Sequence, residues 1–197
     1  MSAPFCYEVC MMLIDLTIPA EQCRSLMEEA RKKENAIAVM GHIGTHLDTY
    51  EKTSIPLDYF RSNGVVFDVR GKDEVALADV DLSLVKDDSF VLFYTGRIEE
   101  CAYGTKEYGK DHPQLSYEVI HALIEKHVRF IGVDCQGIRR HEEHTPADRL
   151  CEKNGVYVIE NLMNLGKLLR KECIVYVMWQ DDPEMTGLRC RVIAEIK

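Results

Sequence analysis

The residues of this 197-residue chain best placed to do chemistry together lie in one short stretch, Gly41-His42-Ile43-Gly44-Thr45-His46-Leu47-Asp48. Two glycines in four positions disfavour a helix. In an extended chain side chains alternate, so His42, His46 and Asp48 share one face with the bare Gly44 between them. Two imidazoles and a carboxylate suit Zn²⁺, Mn²⁺ or Fe²⁺, and three protein ligands that leave a coordination position open make a site of the catalytic kind. Water at such a position loses a proton near neutral pH. The plainer reading of the same residues is a polar loop whose histidines satisfy backbone groups.

A second acid stands far away in sequence. Glu160 directly follows the strand-like run Val156 to Ile159 and precedes the helix-like run Asn161 to Leu169. That puts it at the carboxyl end of a strand, where α/β proteins gather their reactive groups, and there a carboxylate can bridge two cations. Its other reading is an acid in the first turn of the following helix, where the dipole favours it.

The elements that must position these residues can be read from periodicity and punctuation. Leu13 to Leu16 reads as a strand closed by Thr17-Ile18-Pro19, and Ala20 to Asn35 as an amphipathic helix with Leu26, Met27 and Ala30 at helical spacing, followed by a short apolar run, Ala36 to Met40. Val65 to Val69 and Phe90 to Tyr94 read as strands bounded by glycines. Ser116 to His127 has helix period and Val128 to Val133 behind it reads as a strand. The unit then repeats, Thr145-Pro146 opening a helix that reaches Asn154-Gly155 before the strand Val156 to Ile159. Ile174 to Trp179 and Cys190 to Ile196 read as an antiparallel pair around Asp181-Asp182-Pro183. Helix-then-strand units flanked by extra strands predict an α/β fold with a mixed sheet, one domain over residues 13–197 after an N-terminal extension, 1–12.

Composition narrows the function classes. The chain is 46% hydrophobic and 29% charged, an ordinary globular balance. Its 24 Lys+Arg against 33 Asp+Glu give a formal charge of −9, with no basic run beyond Arg31-Lys32-Lys33, which makes nucleic acid a poor partner. No stretch approaches the roughly 18 apolar residues of a membrane span, and the start carries Glu8 and no basic segment, so the expected location is the cytoplasm. The eight cysteines, without a CxxC pair, read as reduced thiols.

These residues resemble the cyclase-type metal-dependent hydrolases, the family that includes kynurenine formamidase (arylformamidase) and isatin hydrolase. His42 to Asp48 matches its HxGTHxD signature, Ile14-Asp15-Leu16-Thr17 its opening strand, Leu92 to Gly96 its strand ending in Thr-Gly, His112-Pro113-Gln114-Leu115-Ser116 its turn into a helix, and Glu160-Asn161-Leu162 its Glu-Asn-Leu. The resemblance implies a swivelling β/β/α domain, assembled as a homodimer or homotetramer, with one or two metal ions, usually zinc. His42 and His46 would bind the first metal, and Asp48 and Glu160 would bridge both. The family's last ligand, a His twelve residues before that Glu, is replaced here by Asp148, which makes a harder site and favours Mn²⁺ or Mg²⁺ beside Zn²⁺. Locally, Thr145-Pro146-Ala147-Asp148 also reads as a capping box, and His144 is a reserve ligand.

The family's acid/base His, four residues after the signature Asp, is replaced by Lys52, which transfers a proton only if burial or nearby cations lower its pKa; Glu51 and His112 are the other candidates. The pocket tryptophan of kynurenine formamidases has no counterpart after Pro19, which gives an aryl substrate no support. Three functions follow as expectations. The first is a hydrolase that cleaves an amide or cyclic amide C–N bond of a small molecule through a metal-activated water. The second is a metal- or ligand-binding member of the fold without turnover. The third is a metal-free amidohydrolase using Cys135, for which the sequence offers no convincing base.

Overall fold

The order along the chain is β1 (Met12–Asp15), α1 (Ala20–Lys32), β2 (His46–Asp48), β3 (Arg61–Asp68), β4 (Glu74–Val75), β5 (Ser89–Tyr94), β6 (Gln114–Leu115), α2 (Tyr117–Glu125), β7 (Phe130–Val133), α3 (His144–Lys153), β8 (Tyr157–Glu160), β9 (Cys173–Trp179) and β10 (Gly187–Ile196), in a computed structural model that describes residues 11–32 and 39–196. Strands run β10-β2-β8-β7-β5-β3-β9, and β9 returns to pair with β10, so the sheet closes into a seven-stranded barrel-like layer with β1 added beside the end of β10. The β3-β5-β7-β8 core is parallel and its remaining neighbours are antiparallel. This is the mixed α/β single domain of the swivelling β/β/α type. β4 and β6 form a separate parallel pair.

The central strands are apolar without interruption because both of their faces are covered. Phe90, Leu92, Phe130 and Ile159 point into the barrel with Leu16, Val177 and Val192, while the alternate residues Val91, Phe93, Ile131 and Val158 pack under α2 and α3 against Ile120, Leu123, Ala147 and Cys151. A third, smaller cluster of Ile18, Cys23, Ala30 and Ile43 holds α1 against the histidine loop.

Several boundaries differ from expectation. Met12 pairs with Ile196 and so belongs to the sheet rather than to the extension, whose residues 1–10 lie outside the described residues. The described part of α1 ends at Lys32, and most of the apolar run after it lies outside the described residues. Helix α3 starts at His144, continuing a 3₁₀ turn over His141–Glu143, so Thr145 is already helical and no capping box forms. Asn161 to Leu169 is not a helix: Asn161 and Asn164 sit at φ 57° and 62°, and only a 3₁₀ turn, Leu165–Leu168, follows. The histidine stretch is extended only over His46–Asp48; Gly41 and Gly44, at φ 102° and 79°, turn the chain before it.

Candidate metal centre

Strand β2 lies between β10 and β8, with His46 directly opposite Glu160 and Leu47 opposite Ile159. Leu47 fills the barrel core, so the side chains on either side of it in sequence, His46 and Asp48, project to the other face. His42 arrives there through the glycine turn, not by strand alternation. From the far side α3 presents His144 and Asp148, four residues apart and therefore on one helix face.

The result is two donor sets that share Asp48: His42, His46 and Asp48, and Asp48, His144, Asp148 and Glu160, each with one ligand atom per residue within 4.8 Å of the others. His42 Nδ1 is 3.2 Å from His46 Nε2 and 3.0 Å from Asp48 Oδ1. His46 Nε2 lies 3.6 Å from Glu160 Oε2, while Glu160 Oε1 lies 3.1 Å from His144 Nε2, so Glu160 faces both sets.

The far nitrogens of the two loop imidazoles are committed elsewhere. His46 Nδ1 is 2.8 Å from the Gly44 carbonyl and His42 Nε2 is 2.9 Å from Thr186 Oγ1, which leaves His46 Nε2 and His42 Nδ1 as the ring atoms that face the cluster. Asn161 braces the same loop, donating to the Gly44 carbonyl at 3.1 Å while its own backbone oxygen accepts from Thr45 Oγ1. Two glycines permit the close fit. A Cβ on Gly41 would meet the Gly187 carbonyl oxygen at 1.8 Å, and one on Gly137 would meet His144 Nδ1 at 2.6 Å.

Asp48, Asp148 and Glu160 are each 2% exposed, and both oxygens of Asp48, both of Asp148 and Oε1 of Glu160 are sealed from solvent without a hydrogen bond. Three buried carboxylates cannot stay ionised without cations to offset them. Protons fill that role when no metal is bound. Burial disfavours a charged imidazole, but Asp48 and Glu160 outweigh it and raise the pKa of His46 to about 9; the same balance, led by Glu160, carries His144 to about 10. Burial together with the charge of Asp48 pushes Asp148 well above the usual carboxylate range, and His144 only partly offsets this. For Asp48 burial pushes upward too, yet His46 and His42 hold it well below that range. A divalent cation in each donor set would satisfy all of these groups at once, so the residues present fit the metals the resemblance implies.

The cluster forms the floor of a cleft of about 550 Å³, walled by Leu26, Ile43, Tyr50, Tyr103 and His112. Tyr50 stacks on the His42 ring at 5.3 Å between centroids. Among the residues singled out from sequence, His42, His46, Asp48, Asp148 and Glu160 come together and His144 joins them as more than a reserve. Lys52 does not: it is exposed in a turn at φ 54°, and its Nζ donates to the Pro183 carbonyl. Glu51 is turned to Arg149 and Lys153, at 3.6 and 3.5 Å. Cys135 is fully buried, with burial and the nearby Asp134 and Glu160 charges raising its thiol well above the ordinary range, which overturns the thiolate reading. Sequence reasoning missed Thr186, Tyr50 and Tyr103; the i, i+4 spacing of His144 and Asp148 was the legible sign that α3 would contribute a pair.

Solved structures of the same fold include isatin hydrolase A from Labrenzia aggregata bound to benzyl benzoate (22% identity, TM-score 0.67, covering 79% of this chain and 73% of that one). A potential metal-dependent hydrolase with cyclase activity matches over 95% of this chain and 99% of its own, at 19% identity and a TM-score of 0.67. Isatin hydrolase A from Ralstonia solanacearum gives a TM-score of 0.69 at 18% identity, covering 79% of this chain and 72% of that one. The sequence matches no curated protein. Residues 14–139, more than half of the chain and including His42, His46 and Asp48, match the family model described as "Putative cyclase"; the chain belongs to the cyclase family and has the fold of its metal-dependent hydrolases.

Proposed function

We propose that the protein is a metal-dependent hydrolase that opens an amide or cyclic amide C–N bond of a small molecule. The observation that carries this is the pair of buried donor sets sharing Asp48, whose sealed carboxylate oxygens make no hydrogen bond and face only the cluster's own imidazoles. His42, His46 and Asp48 would hold one cation of the Zn²⁺ type. Asp48, His144, Asp148 and Glu160, with three carboxylates to one imidazole, would hold a second, where Mn²⁺ competes with Zn²⁺. Bound there, such cations supply an acidified water and a positive charge for an oxygen that becomes negative in the transition state. The protein's own part is to fix the imidazoles through Gly44, Thr186 and Asn161, and to admit a small neutral substrate between Tyr50 and Tyr103. The isatin hydrolases among the fold neighbours support a cyclic amide. No tryptophan lines the cleft, the single one, Trp179, being bonded to Asp181 Oδ1 at 3.0 Å, so an arylformamide gains no support from the lining.

A second reading, a metal-holding member of the fold without turnover, draws on the surface position of Lys52. Elemental analysis of the purified chain followed by a panel of amides, lactams and esters with and without chelator separates the two. Chelator-sensitive hydrolysis with metal bound supports the enzyme; tight metal with no turnover supports the binder. Assembly as a homodimer or homotetramer belongs to the same proposal, with the exposed Leu57, Phe60 and Met178 as surface available for it, and light scattering of the eluting protein tests it. Among the described residues no helix is long and apolar enough to cross a membrane.

A further inference from the structure

We infer that His112 is the acid–base residue of this site, carrying the proton of the attacking water to the departing nitrogen; this rests on the hydrolase reading above. His112 is a wall of the cleft whose floor is His42, His144 and Glu160, and it is 4% exposed. Its Nδ1 lies 2.8 Å from the Pro113 carbonyl oxygen. A carbonyl can only accept, so the neutral ring carries its hydrogen on Nδ1 and a lone pair on Nε2. Among the described residues Nε2 has no hydrogen-bond partner. A ring nitrogen with no partner, on a mostly buried histidine that lines a cleft, is in the state a proton acceptor needs.

The mounting is rigid. Pro113 is followed by β6, where Gln114 N donates to Asp73 O and Leu115 N to Ile138 O, and then by Ser116, whose hydroxyl caps α2. The Pro113 carbonyl that orients the ring also faces Cys135 Sγ at 3.6 Å. Lys52, by contrast, rides on an exposed turn.

The charged groups that reach His112 come from three places. Glu160 on β8 favours its proton; His144 on α3 and Arg140 before it oppose it, and burial, the largest influence, leaves the pKa below the ordinary imidazole value. The ring is therefore neutral at working pH and ready to accept. The other cleft groups are unsuited. His42 and His144 belong to the donor sets, His141 is exposed, and the Tyr103 hydroxyl is pushed up to about 12 by burial, with Tyr50 higher still.

The step balances without a further reagent. Water attacks the amide carbon and forms the C–O bond as its proton passes to Nε2. The C–N bond then breaks as that proton moves from Nε2 to the leaving nitrogen, giving a carboxylic acid and an amine and returning the ring to its starting tautomer.

The test compares His112→Asn, whose side-chain amide can still donate to the Pro113 carbonyl, and His112→Gln with wild type, all as metal-loaded full-length protein, on two substrates sharing one acyl group: a p-nitrophenyl ester, whose leaving group needs no proton, and an alkyl amide. Amide kcat should fall about 10²–10⁴-fold and ester kcat less than about tenfold, with metal content unchanged. Long-range ¹H–¹⁵N spectra of the metal-free wild type should show the Nδ1–H tautomer of His112 at neutral pH. Equal loss on both substrates, or an Nε2–H ring, overturns the assignment to His112 and leaves the hydrolase reading standing. A metal-loaded wild type that hydrolyses neither substrate overturns both.

Discussion

Asp148 shows at the scale of one residue what the site costs the fold. Its two oxygens are buried without a hydrogen bond, next to Asp48 and Glu160, and its proton is held well above the usual range. Removing that acid should help the metal-free protein and harm the loaded one. Asp148→Asn is expected to raise the stability of the metal-free chain by about 1–2 kcal/mol, as relief of a strained functional site commonly does, while bound metal falls from two ions per chain toward one. Urea midpoints and elemental analysis on the same preparation check both halves, and a less stable metal-free variant would contradict the account. His46→Ala removes a ligand from the first donor set and the partner facing Glu160; it should abolish turnover and bound metal there, read by the same elemental analysis. His42, His46 and Asp48 were legible in sequence because a short spacing suffices to bring them near each other. Lys52 was not, because only the folded turn shows its side chain bonded to Pro183.

At the scale of elements, the geometry depends on the β2–β8 register that sets His46 opposite Glu160, and on the residue after that strand. Asn161 sits in the left-handed region at φ 57°, where asparagine is tolerated better than most side chains, and this aims its amide at the Gly44 carbonyl. Asn161→Ala should leave the sheet intact by circular dichroism and weaken metal binding about 10–100-fold, the usual effect of losing a group that orients a ligand. The strands and the helices α2 and α3 were readable from periodicity, since both faces of the central strands are covered and punctuated by glycine and caps. The run after Glu160 was misread as helix because its apolar spacing says nothing of the two asparagines that turn the backbone.

For the whole molecule, the protons that the cluster stores in metal-free protein make stability depend on pH in an unusual direction. His46 and His144 have folded pKa values of about 9 and 10 against an unfolded value of about 6.5, so the folded state binds more protons than the unfolded one between these values. Their contribution is complete below about pH 6.5 and is lost as pH rises through 9 to 10. Asp148, also raised, acts with the same sign. Metal-free protein should therefore lose urea resistance steadily from pH 6.5 to 10, and saturating Zn²⁺ should abolish most of that slope, because the ligands are then deprotonated throughout. Calorimetry of Zn²⁺ binding at neutral pH in buffers of different ionisation enthalpy should detect at least two protons released per chain as the site fills, one each from His46 and His144. A metal-free stability that is flat across this range would contradict the buried cluster as described.

The class of fold and the three candidate ligands of the early loop were legible in the sequence, since these follow from local spacing and from runs whose burial dictates their composition, and the family was legible in its motifs. The folded chain settles the rest: that His144 and Asp148 complete a second donor set, that β9 pairs on its other edge with β3 and β10 with β2 to close the sheet, that Lys52 faces solvent, and that His112 lines the cleft. These depend on segments about a hundred residues apart meeting within hydrogen-bond distance, and on which way a loop turns a side chain, neither of which periodicity records.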